Sequence, residues 1–319
     1  MNQEKKLPIV LPPFTTYQGQ AFVLGVLMSH DNLKEQYYNS YIEIQCCITD
    51  RIWYLEPHFK SVLWDPFWEE GLFEKNLYHD DTCSKEVFIP FLKERIDQEQ
   101  YVFLYRIDEF YLSHSNRYQK THFIHDIYVY GYENDDFNVM GYKDGRLQLF
   151  TLPQTEIRDA FFEAQKIDED IHFCTCRPNK TVYVKTDYSR LKANLKQYLE
   201  GGKKDDLCFG ILFYDEIIKS LDYMIENPGK TTIDLRAFRS LWEHKVSMKD
   251  HIIKLGDVMD TGEARECAEE LERLGDKIFK LAIKYQMVES PSILTRIISH
   301  INEMRAAEID YLTKLVKQF

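Results

Sequence analysis

Apolar and polar positions change rhythm twice along this chain. FVLGVLMSH, from Phe22 to His30, is a short apolar run without a period, which predicts a buried strand. From Asn32 the rhythm becomes helical. Tyr37, Tyr41, Ile44 and Cys47 recur at three- and four-residue spacing and predict one apolar stripe, with Asp31 or Asn32 as the cap. A strand-rich middle follows: VFLYRIDEFYL (Val102–Leu112), DIYVYGY (Asp126–Tyr132), FNVMGY (Phe137–Tyr142) and RLQLFTL (Arg146–Leu152) are dense in β-branched and aromatic residues. The turn-forming linkers ENDD and KDG make the last three a meander. TEIRDAFFEAQK predicts a helix with Ile157, Phe161 and Ala164 on one face, and IHFCTC and TVYVKTDY predict two short strands.

Beyond about residue 187 the period is helical throughout. SRLKANLKQYLEG stops at Gly201-Gly202, and LCFGILFYDEIIKSLDYMIEN stops before Pro228-Gly229. Three long helices are expected at about 233–256, 262–287 and 291–318, the last entered through Ser290-Pro291. Short connections between them predict a bundle. The expected fold is α+β: a domain over residues 1–186 with a central antiparallel sheet, then an all-helical domain over 187–319 that packs on the first or forms a homodimer.

A net charge of -12 argues against a nucleic-acid partner, which needs clustered Lys and Arg, and is compatible with an amine substrate. The 7 cysteines are odd in number and irregularly spaced, so they read as reduced thiols of a cytoplasmic protein rather than a disulfide framework. The segment MNQEKKLPIVLPPF has no apolar core of signal-peptide length, and no run of about 18 apolar residues suggests a membrane span.

Chemistry concentrates in HFIHDIYVYGY, from His122 to Tyr132, where two histidines and a carboxylate stand at a strand entrance. Alternation directs His125 and Asp126 to opposite faces, while His122 in the preceding turn can approach either. A histidine so placed can serve as base for a nucleophile on a distant helix, or simply bond a loop carbonyl. His122 with His125, or His172 with Cys174 and Cys176, contain metal-ligand types, but no second ligand pair accompanies them. Cys46 and Cys47 fall late in the predicted helix, where the dipole disfavours a thiolate, and Cys83 lies among acids that would raise its pKa. In IDLRAFRSLWEHKVSMKDHIIKL, the charges of Asp234, Arg236, Glu243, His244 and Lys245 read as solvated faces. Nucleotide-binding glycine motifs, GxSxG and HExxH are absent, and no cofactor is implied.

The order of an early strand and helix, a His-led strand HDIYVYGY, an acidic turn and FNVMGY resembles the papain-like N-terminal domain of the family named for butirosin biosynthesis protein H. That family is similar to bacterial cysteine peptidases that cleave leader peptides. YQKTHFIHDIYVYGYE and IDLRAFRSLWEHK also look like blocks of proteins found beside nonribosomal peptide synthetases in Bacillus-type bacteria. The resemblance implies a Cys on the first helix, a His at a strand start and an Asp or Asn on the next strand, together moving an acyl group from a carrier-protein thioester to an amine. His125 matches the histidine. The third member falls near Met140-Gly141 and the thiol near Asn39-Ser40, neither of which carries the expected group. Either the constellation is rebuilt with Cys46, Cys47, Ser40 or Asp126, or the domain keeps a cleft without the chemistry. The leading expectation is an acyltransferase or amide-forming enzyme of peptide natural-product biosynthesis, with His125 or His122 as base and Asp126 as orienter. Its partners would be an acyl or peptidyl carrier protein and an amine or peptide. The alternative is a noncatalytic accessory protein that binds a carrier protein or peptide intermediate.

Overall fold

The computed structural model describes residues 4–40, 42–49, 52–57, 71–79, 83–167, 172–204 and 207–319. In chain order they form β1 (Glu4–Lys6), α1 (Gln18–Met28), α2 (Gln36–Ser40), β2 (Ile44–Thr49), β3 (Ile52–Pro57), β4 (Phe73–His79) and α3 (Phe88–Asp97). Next come β5 (Tyr101–Asp108), β6 (Ile124–Glu133), β7 (Asp136–Lys143), β8 (Arg146–Pro153), α4 (Gln154–Ala164) and β9 (His172–Pro178). The remainder is α5 (Tyr188–Glu200), β10 (Gly202–Lys204), β11 (Leu207–Phe209), α6 (Phe213–Glu226), α7 (Leu235–Leu255), α8 (Gly262–Val288) and α9 (Pro291–Val316). The chain is thus mixed α and β, with a large antiparallel sheet in its N-terminal half and helices in its C-terminal part. It divides into two compact units, residues 1–34 with 66–184, and residues 35–65 with 185–319.

The sheet of the first unit has the order β4-β9-β5-β6-β7-β8, and β1 adds to β6; every pairing is antiparallel. The expected meander is present as β6, β7 and β8. Register places Phe103 opposite Cys174 and Leu104 opposite Phe173, so Phe103 and Phe173 project to opposite faces. Phe22 of α1 packs on the first face, stacked on Tyr128 at 3.8 Å and edge-on to Phe103 at 4.4 Å. On the other face, Phe88 of α3 and Phe161 of α4 stack at 4.9 Å and meet Phe173.

The apolar run predicted as a strand is α1. Ala21 through Leu27 are all buried, and a helix covered on every side shows no polar period to betray it. Gly25 lets the proline-rich lead-in cross it closely, since a Cβ there would stand 2.5 Å from the Val10 carbonyl. TVYVKTDY forms no strand. Asn32, expected as a helix cap, instead donates its amide to the carbonyls of Asn179 and Val182 and accepts from Val184 N–H at 2.8 Å, satisfying that segment without a ladder.

In the second unit the sheet order is β10-β11-β2-β3, again antiparallel. The helix predicted from Asn32 covers only Gln36–Ser40; Tyr41 lies outside the described residues. IQCCIT then runs as β2; apolar Ile42, Ile44 and Cys46 alternate with polar Glu43 and Gln45, and all five are buried. Successive β-branched residues prefer that pleated surface to a helix. α5, α7, α8 and α9 stand where expected, whereas Leu207–Phe209, read as the start of a helix, instead pairs with β2 as β11, and α6 begins only at Phe213. Asp187 caps α5 by accepting from Ser189 and Arg190 N–H, and Gly201 ends it at φ +59°. Pro291 opens α9.

One reading of the bundle is corrected. His244 and Lys245 do not lie on a solvated face: both are buried, as is Glu243. Lys245 Nζ donates to both oxygens of Glu308, each at 2.7 Å, and the hydroxyls of Tyr198 and Tyr214 donate to Glu308 Oε2 at 2.8 and 2.7 Å. The ammonium also lies within 5.6 Å of three aromatic ring centres, those of Tyr198, Phe213 and Tyr214. A helical wheel counts such a lysine as polar, whereas full pairing is what permits its burial.

This pair generates a stability prediction. Lys245→Met leaves Glu308 charged in an apolar core and is expected to cost about 3–5 kcal/mol in urea unfolding. Lys245→Met/Glu308→Leu is expected to recover most of that loss. A double variant as unstable as the single one contradicts the ion-pair explanation.

Candidate functional site

The site begins with an irregularity in β5. Leu104 pairs with Ile127 and Ile107 with His125, so two residues, Tyr105 and Arg106, oppose the single Asp126. Arg106 adopts φ +62°, a left-handed conformation that non-glycine residues rarely take. This bulge displaces the Arg106 N–H from the ladder, and Asp126 Oδ1 receives it at 2.9 Å. Asp126 therefore holds backbone; within the described contacts it does not orient His125.

Past the bulge, the strand end turns. Asp108 caps a single 3-10 turn, Glu109–Tyr111, through Oδ1, which accepts from Phe110 N–H at 3.0 Å and Phe123 N–H at 3.1 Å. Its other oxygen, Oδ2, lies 2.6 Å from His122 Nδ1. The next residue repeats the arrangement: Glu109 Oε1 lies 2.9 Å from His125 Nδ1, and Oε2 accepts from Ser115 Oγ at 2.7 Å. Each carboxylate is placed to accept from an imidazole in its Nδ1–H tautomer. Neither Nε2 has a hydrogen-bond partner among the described residues, which leaves a lone pair on each for a substrate proton.

Burial is graded across these pairs. Asp108 is fully buried and Glu109 partly so, while the side chains of His122 and His125 are 53% and 32% exposed. Burial would raise the Glu109 carboxyl, but the bonds from His125 and Ser115 outweigh it and hold the group below the ordinary glutamate range. His122 stacks on Phe110 at 4.4 Å and His125 on Tyr142 at 5.6 Å, which restrains both rings. Tyr142 in turn donates its hydroxyl toward the carbonyls of Thr15 and Thr16, just before α1. Gln18, the first residue of α1, donates Nε2 to the Asp126 carbonyl at 2.7 Å, setting the helix N-terminus against the histidine strand. A third imidazole, His114, lies against Phe150 at 4.7 Å; burial lowers its pKa, opposed by the Glu109 charge.

Of the sequence candidates, His122, His125 and Asp126 come together in the first unit; Ser40, Cys46 and Cys47 belong to the second. Ser40 ends the five-residue α2 and its Oγ accepts from Gln36 Nε2 at 3.1 Å. Cys46 is buried in the core of the second unit, on a strand instead of the predicted helix. Cys47 follows it on β2, with its side chain outside the described set. Burial pushes the thiols of Cys83 and Cys176 up, and those of Cys208 and Cys267 to about 11. None of these four is poised as a thiolate at neutral pH. Among the described residues, no group of three or more His, Cys, Asp or Glu side chains is placed to hold a metal ion, and no helix is long and apolar enough to cross a membrane.

Sequence reading misses Asp108 and Glu109, because VFLYRIDEFYL looks like one uninterrupted strand. The available signal is the acidic pair at the end of an apolar strand, facing a histidine pair at the start of its hairpin partner.

Two stability predictions follow from this geometry. Asp126→Ala orphans the Arg106 N–H and is expected to cost about 1–3 kcal/mol, measured by chemical unfolding; a neutral change contradicts the bulge-holding role. Because folding lowers the Glu109 pKa, its contribution is present above the unfolded value of about 4.3 and fades as pH falls through the lower folded value. The stability gap between wild type and Glu109→Gln is therefore expected to be full at pH 6 and to shrink by pH 3.5. A gap that widens with acid contradicts this. Compared with models of known protein families and with curated proteins, the chain matches none.

Proposed function

We propose that the paired histidines are a general acid–base site for direct acyl transfer from a carrier-protein thioester to an amine, without an acyl-enzyme intermediate. One observation carries the reading. Two adjacent carboxylates, Asp108 and Glu109, each hold a separate imidazole by Nδ1 and leave Nε2 open on a partly exposed surface. A carboxylate so placed fixes the tautomer and stabilises the imidazolium that forms when Nε2 takes a proton.

The chemistry balances with these groups alone. His125 Nε2 accepts a proton from the amine as its nitrogen attacks the thioester carbonyl. The C–N bond forms, the C–S bond breaks, and the leaving sulfur receives the proton from the imidazolium. The first unit is read as the papain-like domain suggested by the butirosin H-like resemblance, with α1 as the helix facing the histidine strand. At its N-terminus stand Tyr17, Gln18 and Gly19, and a carboxamide is no nucleophile. The raised thiol pKa values point the same way, which is why direct transfer is preferred to a covalent intermediate.

Those same two features favour a second reading, a noncatalytic protein that binds a carrier protein or peptide intermediate. One experiment separates them: incubate the protein with an acyl thioester of a carrier mimic and an amine, then follow amide product and intact protein mass together. Amide without a protein adduct is expected, with a rate loss of about 10²–10⁴-fold in His125→Ala. An adduct on a cysteine contradicts direct transfer, and no amide at all supports the binding protein.

A further inference from the structure

The loop that carries His122 and leads into the His125 strand also carries a cation with unfilled donors. Arg117 lies in the excursion between β5 and β6, in a tight turn: its N–H meets Ser115 Oγ at 3.1 Å, and its carbonyl accepts from Lys120 and Thr121 at 2.9 and 3.1 Å. The guanidinium is centred 3.9 Å over the Phe123 ring, and Phe123 lies 5.7 Å from the His125 ring. The charge is thereby held no farther from that imidazole than the two spacings combined. Its only ion-pair contact among the described residues is Nε to Glu109 Oε2 at 4.0 Å, too long for a hydrogen bond. Glu109 already accepts from His125 and Ser115 at shorter range. Arg117 thus presents its planar fork, 44% exposed, beside the proposed proton acceptor.

We infer that the amine handled at this site carries a carboxylate next to its nitrogen, as an α-amino acid does, and that Arg117 receives that carboxylate. The inference rests on the acyl-transfer reading for what happens to the amine, but its binding part stands without it. A carboxylate on the guanidinium fork makes two parallel charge-assisted hydrogen bonds, and a guanidinium stacked on an aromatic face is already oriented for them. Anchored there, an α-amino acid carries its nitrogen a few ångströms from the guanidinium, a reach on the scale of the Arg117–Phe123–His125 spacings. Glu109, beside the imidazole, favours approach of the ammonium end, which releases one proton to solvent so that the neutral nitrogen can attack, and the site is complementary to an α-amino acid in that polarity. A simple alkylamine satisfies only half of it. Arg117 is in this sense a specificity residue, while proton transfer stays with the histidines.

The test uses matched pairs: glycine and methylamine, alanine and ethylamine, leucine and 3-methylbutylamine, phenylalanine and phenethylamine. Acylation by the thioester mimic and equilibrium binding by titration calorimetry are measured for wild type, Arg117→Ala and Arg117→Lys, with thermal melts checking that each variant folds. Each amino acid is expected to bind and react at least tenfold better than its amine. The preference should vanish in Arg117→Ala and partly return in Arg117→Lys, with kcat/KM for each amino acid falling toward that of its matched amine. A role confined to packing on Phe123 would alter both members of each pair alike. Acylation without preference for the carboxylate overturns the inference and leaves the acyl-transfer reading intact. Selective binding lost in Arg117→Ala, but with no acylation, supports the inference and removes that reading. Absence of any selective binding overturns the inference whether or not amide forms.

Discussion

The hydrogen bond from Arg106 N–H to the Asp126 carboxylate is the constraint on which the site depends. A strand with regular alternation would send the residues after Leu104 to the faces their position dictates. One extra residue inverts that assignment for everything beyond it. The cost is a left-handed Arg106 and a displaced N–H, and Asp126 offsets the second by accepting it. Asp108 then ends the strand and caps the turn that Glu109 begins, and each meets a histidine of the neighbouring strand entrance. Removing the bulge would not merely shift a loop; it would change which side of the sheet each carboxylate faces.

The site is consequently built twice over from one hairpin. Asp108 divides its two oxygens between backbone and His122, while Glu109 divides its two between Ser115 and His125. A buried acid that also caps a turn has little freedom, so its imidazole is held by the fold rather than by solvent. Aromatic rings restrain the other side of each imidazole. The second unit uses buried charge differently. There Lys245 and Glu308 neutralise each other and are closed in by Tyr198 and Tyr214, leaving nothing for a substrate. Similar residue types therefore serve opposite ends: in one unit each pair leaves an open nitrogen, and in the other every donor is consumed.

The contrast explains how far the sequence could be read. The meander, the helix after it and the three long C-terminal helices are plain in the pattern, because each has one solvated face or a clear stop. The segment α1 is not, since helices buried all round lose their period. Nor is β2, because Tyr37, Ile44 and Cys47 fit a helical spacing by coincidence while Ile42, Ile44 and Cys46 set the real alternation. His122 and His125 announce themselves by type and position. Their carboxylates do not, since a bulge has no reliable sequence signature and Asp108-Glu109 looks like part of a strand. Asp126 adjoins His125 in sequence and invites pairing with it, yet alternation separates them and the backbone claims its carboxylate.

The most direct test of the paired-histidine site is the tautomer of each ring. Long-range proton–nitrogen correlation in a histidine-labelled sample, taken well above the titration range, reports which ring nitrogen carries the proton. Protonation at Nδ1 in both His122 and His125, with Nε2 as an open acceptor, is the expected result, lost for His125 in Glu109→Gln and for His122 in Asp108→Asn. Both rings protonated at Nε2, as free imidazoles prefer, would contradict the carboxylate pairing and with it the acid–base site.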